Sequence, residues 1–236
     1  MKLSAPIPML KRKARLLART KTIPLHEALD QVAADEGIAG WSLLAAKAAA
    51  VRPAAKLFAR LTPGDMVLLG ARPGQGKTLM GLELAVEAMK AGHRGSFFTL
   101  EYTEKEVLDR FGKIGANPAH FGDLFELDSS DTISAARIAR RMAMAPRGTL
   151  VVIDYLQLLD QKRDNPELME QVRALKSLAR DKGLIVVMIS QIDRSYDPSA
   201  KVVPDLDDVR LPNPLDLKLF DKACFLNQGE VRFHAV

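Results

Sequence analysis

Apolar and polar positions follow two different patterns from residue 61 onward. Short runs of consecutive apolar residues predict strands buried on both faces, and they cover residues 66–69, 96–100, 124–127, 149–153, 184–189 and 223–226. Longer stretches with helical spacing of apolar residues predict helices, and they cover residues 78–91, 104–111, 133–145 and 167–181. This alternation predicts an α/β fold with a mostly parallel central sheet flanked by helices, and residues 225–233 predict a hairpin at the sheet edge.

The first part of the chain has helical spacing throughout. Apolar stripes predict helices over residues 9–21, from residue 24 or 25 to residue 34, and over residues 41–51. No run of strand type separates them. We therefore predict two domains, a small helical module over residues 1–55 and the α/β domain over residues 56–236.

Composition excludes several classes of protein. The 236 residues (25.9 kDa) are 47% hydrophobic and 27% charged, which indicates a globular chain and not a disordered one. No apolar run approaches the ~20 residues that a membrane span needs. The single Cys224 excludes an intramolecular disulfide framework and a zinc site built from cysteines alone. No secretory signal is visible, and we expect a cytoplasmic protein.

The positive charge is concentrated near the N-terminus. Residues 1–60 hold eleven Lys and Arg against four Asp and Glu, a net charge of +7, whereas the other 23 basic and 25 acidic residues give −2. Lys11, Arg15 and Arg19 recur every four positions and therefore share one face of the first predicted helix. That face is either a solvated surface or a contact with nucleic-acid phosphates, and the helices also suit docking to a partner protein or a second subunit.

A glycine-rich segment joins the first predicted strand of the α/β domain to the helix that follows. It reads Ala71, Arg72, Pro73, Gly74, Gln75, Gly76, Lys77 and Thr78. In this context the segment predicts a P-loop that binds ATP, because its glycines let backbone N–H groups face phosphate oxygens and the helix adds its positive end. Lys77 is placed to reach the β and γ phosphates, and the Thr78 hydroxyl is placed to bind Mg²⁺.

Polar residues follow three predicted strands at the ends where α/β sheets bind ligands. Asp154 follows the strand at 149–153 and is a candidate for organising Mg²⁺. Glu101 is a candidate for positioning or deprotonating the attacking water, and Gln191 for sensing the γ phosphate. The alternative for each is an ordinary polar residue that caps a helix or lies in a solvated loop.

These residues together resemble the C-terminal motor domain of the DnaB-type replicative helicases, which are RecA-like P-loop ATPases. Residues 63–69 and 71–78 are similar to the family's first strand and Walker A loop, where alanine at the first position is usual. The segment with the catalytic glutamate, the Walker B strand and the sensor segment are matched, in that order, by residues 97–101, 152–158 and 190–195. Beyond residue 195 only residues 208–210 follow a family pattern.

The resemblance implies a Mg²⁺-dependent ATP hydrolase of DNA replication that assembles as a ring or filament, with nucleotide between neighbouring subunits. It implies DNA, single-stranded DNA above all, or a replication-type protein as partner. Lys162 and Arg163 lie where the family carries a DNA-binding loop. The family also carries a C-terminal Lys-x-Arg element with an arginine finger, and only Arg232 lies near that region. A short basic module stands in place of the family's larger N-terminal domain.

Three functions compete at this point. The first is an ATP-hydrolysing, DnaB-like helicase-family protein acting on DNA, which the filled core motifs favour. The second is a nucleotide-dependent switch or adaptor without processive unwinding. It is favoured because this sequence departs from the family pattern at the Lys-x-Arg element that carries the arginine finger. The third is a nucleic-acid-binding module with a vestigial fold, which the filled motifs disfavour.

Overall fold

The computed structural model describes residues 3–5, 7–50, 53–160, 166–211 and 213–236. Two compact units divide the chain, Met1–Lys56 and Leu57–Val236. The first contains three helices, α1 Ile7–Lys21, α2 Leu25–Asp35 and α3 Trp41–Ala50. Another short helix, α4 Pro53–Phe58, was not predicted. Its six residues are too few for helical periodicity to be recognised.

The helical unit has its own apolar core. Buried side chains come from each of α1, α2 and α3, namely Leu10, Ala14, Ala28, Val32, Ala33, Ile38 and Leu44. Helix α2 ends at Asp35, Gly37 follows its cap with a φ of +74°, and the Ile38 N–H donates to the Ala33 carbonyl. This is a Schellman motif, which satisfies the last carbonyls of the helix and turns the chain toward α3. The N–H of Trp41 then donates to the Asp30 carboxylate at 2.8 Å, which ties α3 to α2.

The second unit alternates strands and helices as predicted. Its strands are β1 Met66–Ala71, β2 Gly95–Thr99, β3 Phe125–Asp128, β4 Leu150–Asp154, β5 Ile185–Gln191, β6 Lys222–Asn227 and β7 Glu230–Ala235. Its helices after α4 are α5 Lys77–Lys90, α6 Glu104–Lys113, α7 Ala135–Arg141 and α8 Leu168–Lys182. Helix α7 is shorter than the predicted 133–145, because Ser134 caps its start and Pro146 disfavours helical backbone just before it.

Seven strands form one sheet in the order β3-β2-β4-β5-β1-β6-β7. The pairings from β3 to β6 are parallel, and β7 pairs antiparallel with β6 as the predicted hairpin. The hairpin turns at Gln228 and Gly229, which both have positive φ, as a two-residue type I′ turn requires. The predicted fold class is therefore confirmed.

Helices cover both faces of the sheet, so its central strands are buried along their whole length. Every residue of β1, β2 and β4 is buried. Helix α5 approaches one face most closely at Gly81, where a Cβ would lie 3.0 Å from Val152 Cγ1 and 3.1 Å from Ile189 Cδ1. Helix α8 contributes Leu168, Val172, Leu175 and Ala179 to a core shared with the other face. Within the described ranges, no helix is both long and apolar enough to cross a membrane.

Candidate functional site

The predicted P-loop connects β1 to α5 at the carboxyl end of the sheet. Two of its glycines have left-handed backbone, with φ of +79° at Gly74 and +85° at Gly76. A Cβ at either position would meet no atom within 4 Å, so the backbone conformation, and not crowding by protein, calls for glycine. Arg72 is partly buried and Pro73 is exposed. The loop thus has the conformation that lets successive N–H groups face one anion.

The first two residues of α5 point into the protein. Lys77 and Thr78 are both buried, at 7% and 6% exposure. As first-turn residues of α5, they have backbone N–H groups without carbonyl partners inside the helix, and these groups lie at the positive end of its dipole. Among the described residues, Lys77 forms no salt bridge. A buried cation and a helix N-terminus beside left-handed glycines are the properties of a phosphate site.

Asp154, the last residue of β4, is the most unusual polar group of the site. It is 1% exposed, and neither carboxylate oxygen has a hydrogen-bond partner among the described residues. Burial raises the pKa of Asp154 to about 6, the nearby Glu101 charge adds to the rise, and the Thr78 hydroxyl, the Lys77 ammonium and the Arg110 guanidinium oppose it. A buried carboxylate without a partner is costly unless a cation binds it.

These residues fit a bound Mg²⁺. No group of three or more acidic, histidine or cysteine side chains that could hold a metal occurs in the described ranges. Mg²⁺ at a nucleotide does not need one, because it is held by one or two protein oxygens together with phosphates and water. Asp154 supplies an unpaired anionic oxygen, and Thr78 supplies a hydroxyl close to it.

Glu101 lies two residues beyond β2, on the side of the site that faces solvent. Its backbone N–H donates to the Thr99 hydroxyl at 3.1 Å, and Thr99 pairs with Asp154 across the sheet. The side chain is exposed, and its Oε1 accepts a hydrogen bond from the Tyr102 hydroxyl at 2.8 Å. The structure therefore brings Glu101 to the same end of the sheet as Asp154 and the P-loop.

Sequence reasoning did not single out Tyr102 and Arg110, which both belong to this region. The Arg110 guanidinium carbon lies 3.5 Å from the centre of the Tyr102 ring. Tyr102 is partly buried, and its hydroxyl interacts with Thr78 as well as Glu101. The contact depends on how the loop after β2 folds back against α6, so no spacing in the sequence indicates it.

Gln191 ends β5 beside the last residue of β1, Ala71. It is part of a polar network that joins three segments. The Arg210 guanidinium donates to Gln191 Oε1 at 3.4 Å, and the Gln157 amide donates to Ser190 Oγ at 3.0 Å and to the Arg210 carbonyl at 2.7 Å. The network links the predicted sensor strand to the segment after β4. Gln157 was not predicted to contribute.

The β6–β7 hairpin also reaches the P-loop. The N–H of Gln228 donates to Gln75 Oε1 at 2.7 Å.

Arg232, the arginine near the family's finger region, is exposed on β7. Lys162 and Arg163, the predicted DNA-binding pair, lie outside the described residues. All the predicted nucleotide-site and metal-site residues are thus placed at one end of the sheet.

Comparison with known proteins gives concordant matches. Residues 113–215 match the model of the DnaB-like helicase C terminal domain. The chain is 29% identical over 181 residues to the replicative DNA helicase DnaB of Synechocystis sp., an alignment that covers 64% of this chain and 21% of that protein. It is 28% identical over 187 residues to the DnaB of Geobacillus stearothermophilus, covering 64% and 41% respectively. The chain therefore spans less than half the length of these curated relatives.

Two solved structures have a fold similar to that of this chain. The ATPase domain of G40P superposes with a TM-score of 0.54 at 23% identity, covering 70% of this chain and 69% of that one. A DnaB-like replicative helicase studied with primase superposes with a TM-score of 0.60 at 16% identity, covering 97% and 72%. Sheet order, family match and relatives point the same way: this chain has the fold of these helicase ATPase domains, and its second unit is similar in sequence to the DnaB-like helicase C terminal domain.

Proposed function

We propose that the second unit binds Mg²⁺ and ATP at the P-loop and hydrolyses the nucleotide. The observation that carries the proposal is the buried Asp154 carboxylate, whose oxygens have no hydrogen-bond partner among the described residues and which lies close to Thr78 and Lys77. Burial of an unpaired carboxylate charge destabilises the protein when no ligand is bound. A cation that binds together with a nucleotide would offset this loss of stability. Glycine geometry at Gly74 and Gly76 supports the same assignment.

Each residue has a distinct task in this proposal. The loop N–H groups and Lys77 bind the phosphates, and Thr78 and Asp154 hold the metal ion, which neutralises phosphate charge when bound. Glu101 orients the attacking water and accepts its proton. Gln191 contacts the γ phosphate and would transmit its loss to Arg210 and Gln157 through their hydrogen bonds. Phosphoryl transfer needs mainly such positioning and charge neutralisation.

Turnover of ATP by wild type and Lys77→Ala, with and without single-stranded DNA, tests this function. We expect wild type to hydrolyse ATP and Lys77→Ala to bind it about 10–100-fold more weakly, because the charge-assisted contacts of one buried ammonium are lost. The variant also controls for contaminating ATPases. Tight Mg²⁺·ATP binding with no wild-type turnover under either condition would refute hydrolysis and leave a nucleotide-dependent switch or adaptor.

DNA is the proposed polymer partner, and self-association into a ring or filament is the proposed assembly. The relatives are named replicative DNA helicases, and the first unit carries a basic surface that suits phosphates. On α1, the side chains of Lys11, Arg12, Arg15 and Arg19 are exposed. At 3.6 residues per turn they fall within about 100° of the helix circumference, away from buried Leu10 and Ala14. We call these four side chains the α1 basic face.

The salt dependence of DNA binding tests the α1 basic face. For Lys11→Gln combined with Arg15→Gln, we expect the slope of log K against log salt for a labelled thymidine oligonucleotide to become shallower by about 1.4, because two counterion-releasing contacts are lost. Lys13→Gln is the matched control on the same helix, since Lys13 pairs with Asp35 at 3.0 Å. Equal slopes for wild type and the double variant would exclude the face from DNA binding.

A further inference from the structure

We propose that Tyr102 is a positioning residue that holds Glu101 in place for water activation. The inference rests on the proposed ATP hydrolysis and names a residue that acts through the glutamate, without contacting the nucleotide itself. Its basis is the hydrogen bond from the Tyr102 hydroxyl to Glu101 Oε1 at 2.8 Å.

Glu101 needs such a support because little else fixes its carboxylate. The residue is exposed and follows the end of β2, outside the hydrogen-bonded sheet. Its backbone is tied down by the bond to Thr99. Among the described residues, the Tyr102 hydroxyl is the hydrogen-bond donor that the structure gives to its carboxylate. A free glutamate side chain samples many rotamers, and a general base must hold one geometry.

Tyr102 is itself held firmly. Its ring lies under the Arg110 guanidinium at 3.5 Å, and Arg110 Nη1 donates to the Glu106 carbonyl at 2.9 Å. Thr103 and Glu106 form a capping box that fixes the start of α6. The support for Glu101 is therefore built from residues 102–110 and does not depend on the nucleotide.

The Tyr102 side chain also lies close to the proposed metal site. The Tyr102 hydroxyl also interacts with the Thr78 side chain, which lies near Asp154. One phenol therefore connects the residue proposed to activate water with the residue proposed to bind Mg²⁺.

Removal of a single hydroxyl tests the proposal. For Tyr102→Phe we expect kcat to fall about tenfold with KM for ATP within twofold of wild type, because misplacement of a catalytic group costs up to 10² in rate and the ring is retained. Tyr196→Phe is the matched control. It also removes a hydrogen-bonded phenol hydroxyl, one that donates to the Lys201 carbonyl at 2.6 Å, and we expect lower thermal stability with unchanged kcat.

A double-mutant cycle with Glu101→Gln distinguishes positioning from a structural effect. If Tyr102 acts through Glu101, adding Tyr102→Phe to Glu101→Gln leaves kcat unchanged. Equal losses in both backgrounds would mean that the hydroxyl only stabilises the fold, and a wild-type kcat for Tyr102→Phe would also overturn the proposal. Absence of turnover in wild type would overturn the proposed function and the positioning role together, whereas the other results leave hydrolysis standing.

Discussion

Glu101→Gln is expected to lower kcat for ATP hydrolysis by about 10²–10⁴ while leaving ATP affinity within twofold of wild type. General-base catalysis typically contributes rate factors of this size. We expect affinity to be retained because Glu101 lies beyond β2, whereas the proposed phosphate site is formed by the P-loop and Lys77 at the start of α5. Single-turnover hydrolysis and equilibrium binding of a fluorescent ATP analogue measure the two quantities separately.

Glu104→Gln is the matched control for this substitution. Glu104 is an exposed acidic residue in the first turn of α6, only three positions further along the chain. We expect its loss to change kcat by less than twofold, because a solvated surface charge contributes little at this distance. If both variants fell equally, the effect would be one of local charge, and Glu101 would have no special role.

Asp154→Asn is expected to have opposite effects on stability and on nucleotide binding. Without nucleotide or metal, the substitution removes a buried charge whose oxygens have no hydrogen-bond partner in the part of the chain that the structure describes, and the free energy of unfolding at pH 7.5 should rise. The gain is up to about 3 kcal/mol, less what the unpartnered amide loses. With Mg²⁺, we expect ATP affinity to fall about 10–100-fold, because the proposed metal loses an anionic ligand.

The stability difference should depend on pH in a defined direction. Burial raises the pKa of Asp154 to about 6 in the folded protein, against an ordinary value of 3.8 for an aspartate. The folded state therefore binds the proton more tightly, so wild-type stability falls as pH rises from about 4 to 6. Asp154→Asn lacks this titration, and its advantage over wild type should be small at pH 4 and complete above pH 6. Urea unfolding followed by far-UV circular dichroism measures it.

Asp128→Asn is the control of opposite sign. Asp128 also ends a strand and is buried, but it pairs with Arg137 at 2.8 Å. Burial alone would raise the pKa of Asp128, yet hydrogen bonds from Arg137 and Ser130 outweigh it and lower the pKa. The ionised carboxylate is thus stabilising at neutral pH, and we expect Asp128→Asn to destabilise the fold there. A gain in stability for both variants would show that charge burial alone decides the outcome.

These two aspartates also show how far the sequence can predict the site. Both end a strand, although Leu150–Asp154 is apolar up to its aspartate whereas Phe125–Asp128 also contains Glu126. The P-loop at 71–78 predicts the end of the sheet where a nucleotide would bind, but the strand order, which places β4 two positions and β3 four positions from β1, is known only from the structure. The partner of Asp128 comes from α7, and a side-chain pairing of that kind is decided by packing between elements.

The fold was predictable because its buried strands have a recognisable sequence pattern. Parallel strands covered on both faces must be apolar at successive positions, so β1, β4 and β5 stand out in the sequence. The contacts of Tyr102 with Glu101 and of Gln157 with Ser190 have no such periodic pattern. They depend on rotamers in the loops after β2 and β4, and these loops are arranged by the tertiary structure.

The burial of Cys224 has a practical consequence for labelling. This thiol lies within β6, and burial raises its pKa to about 12, so alkylating reagents at neutral pH meet an unreactive group. A cysteine introduced at exposed Glu230 would therefore be the site of selective labelling without removal of the native one. Because Gln228, two residues earlier in the hairpin, contacts Gln75 of the P-loop, a fluorophore there would lie close to the proposed nucleotide site and could report binding optically.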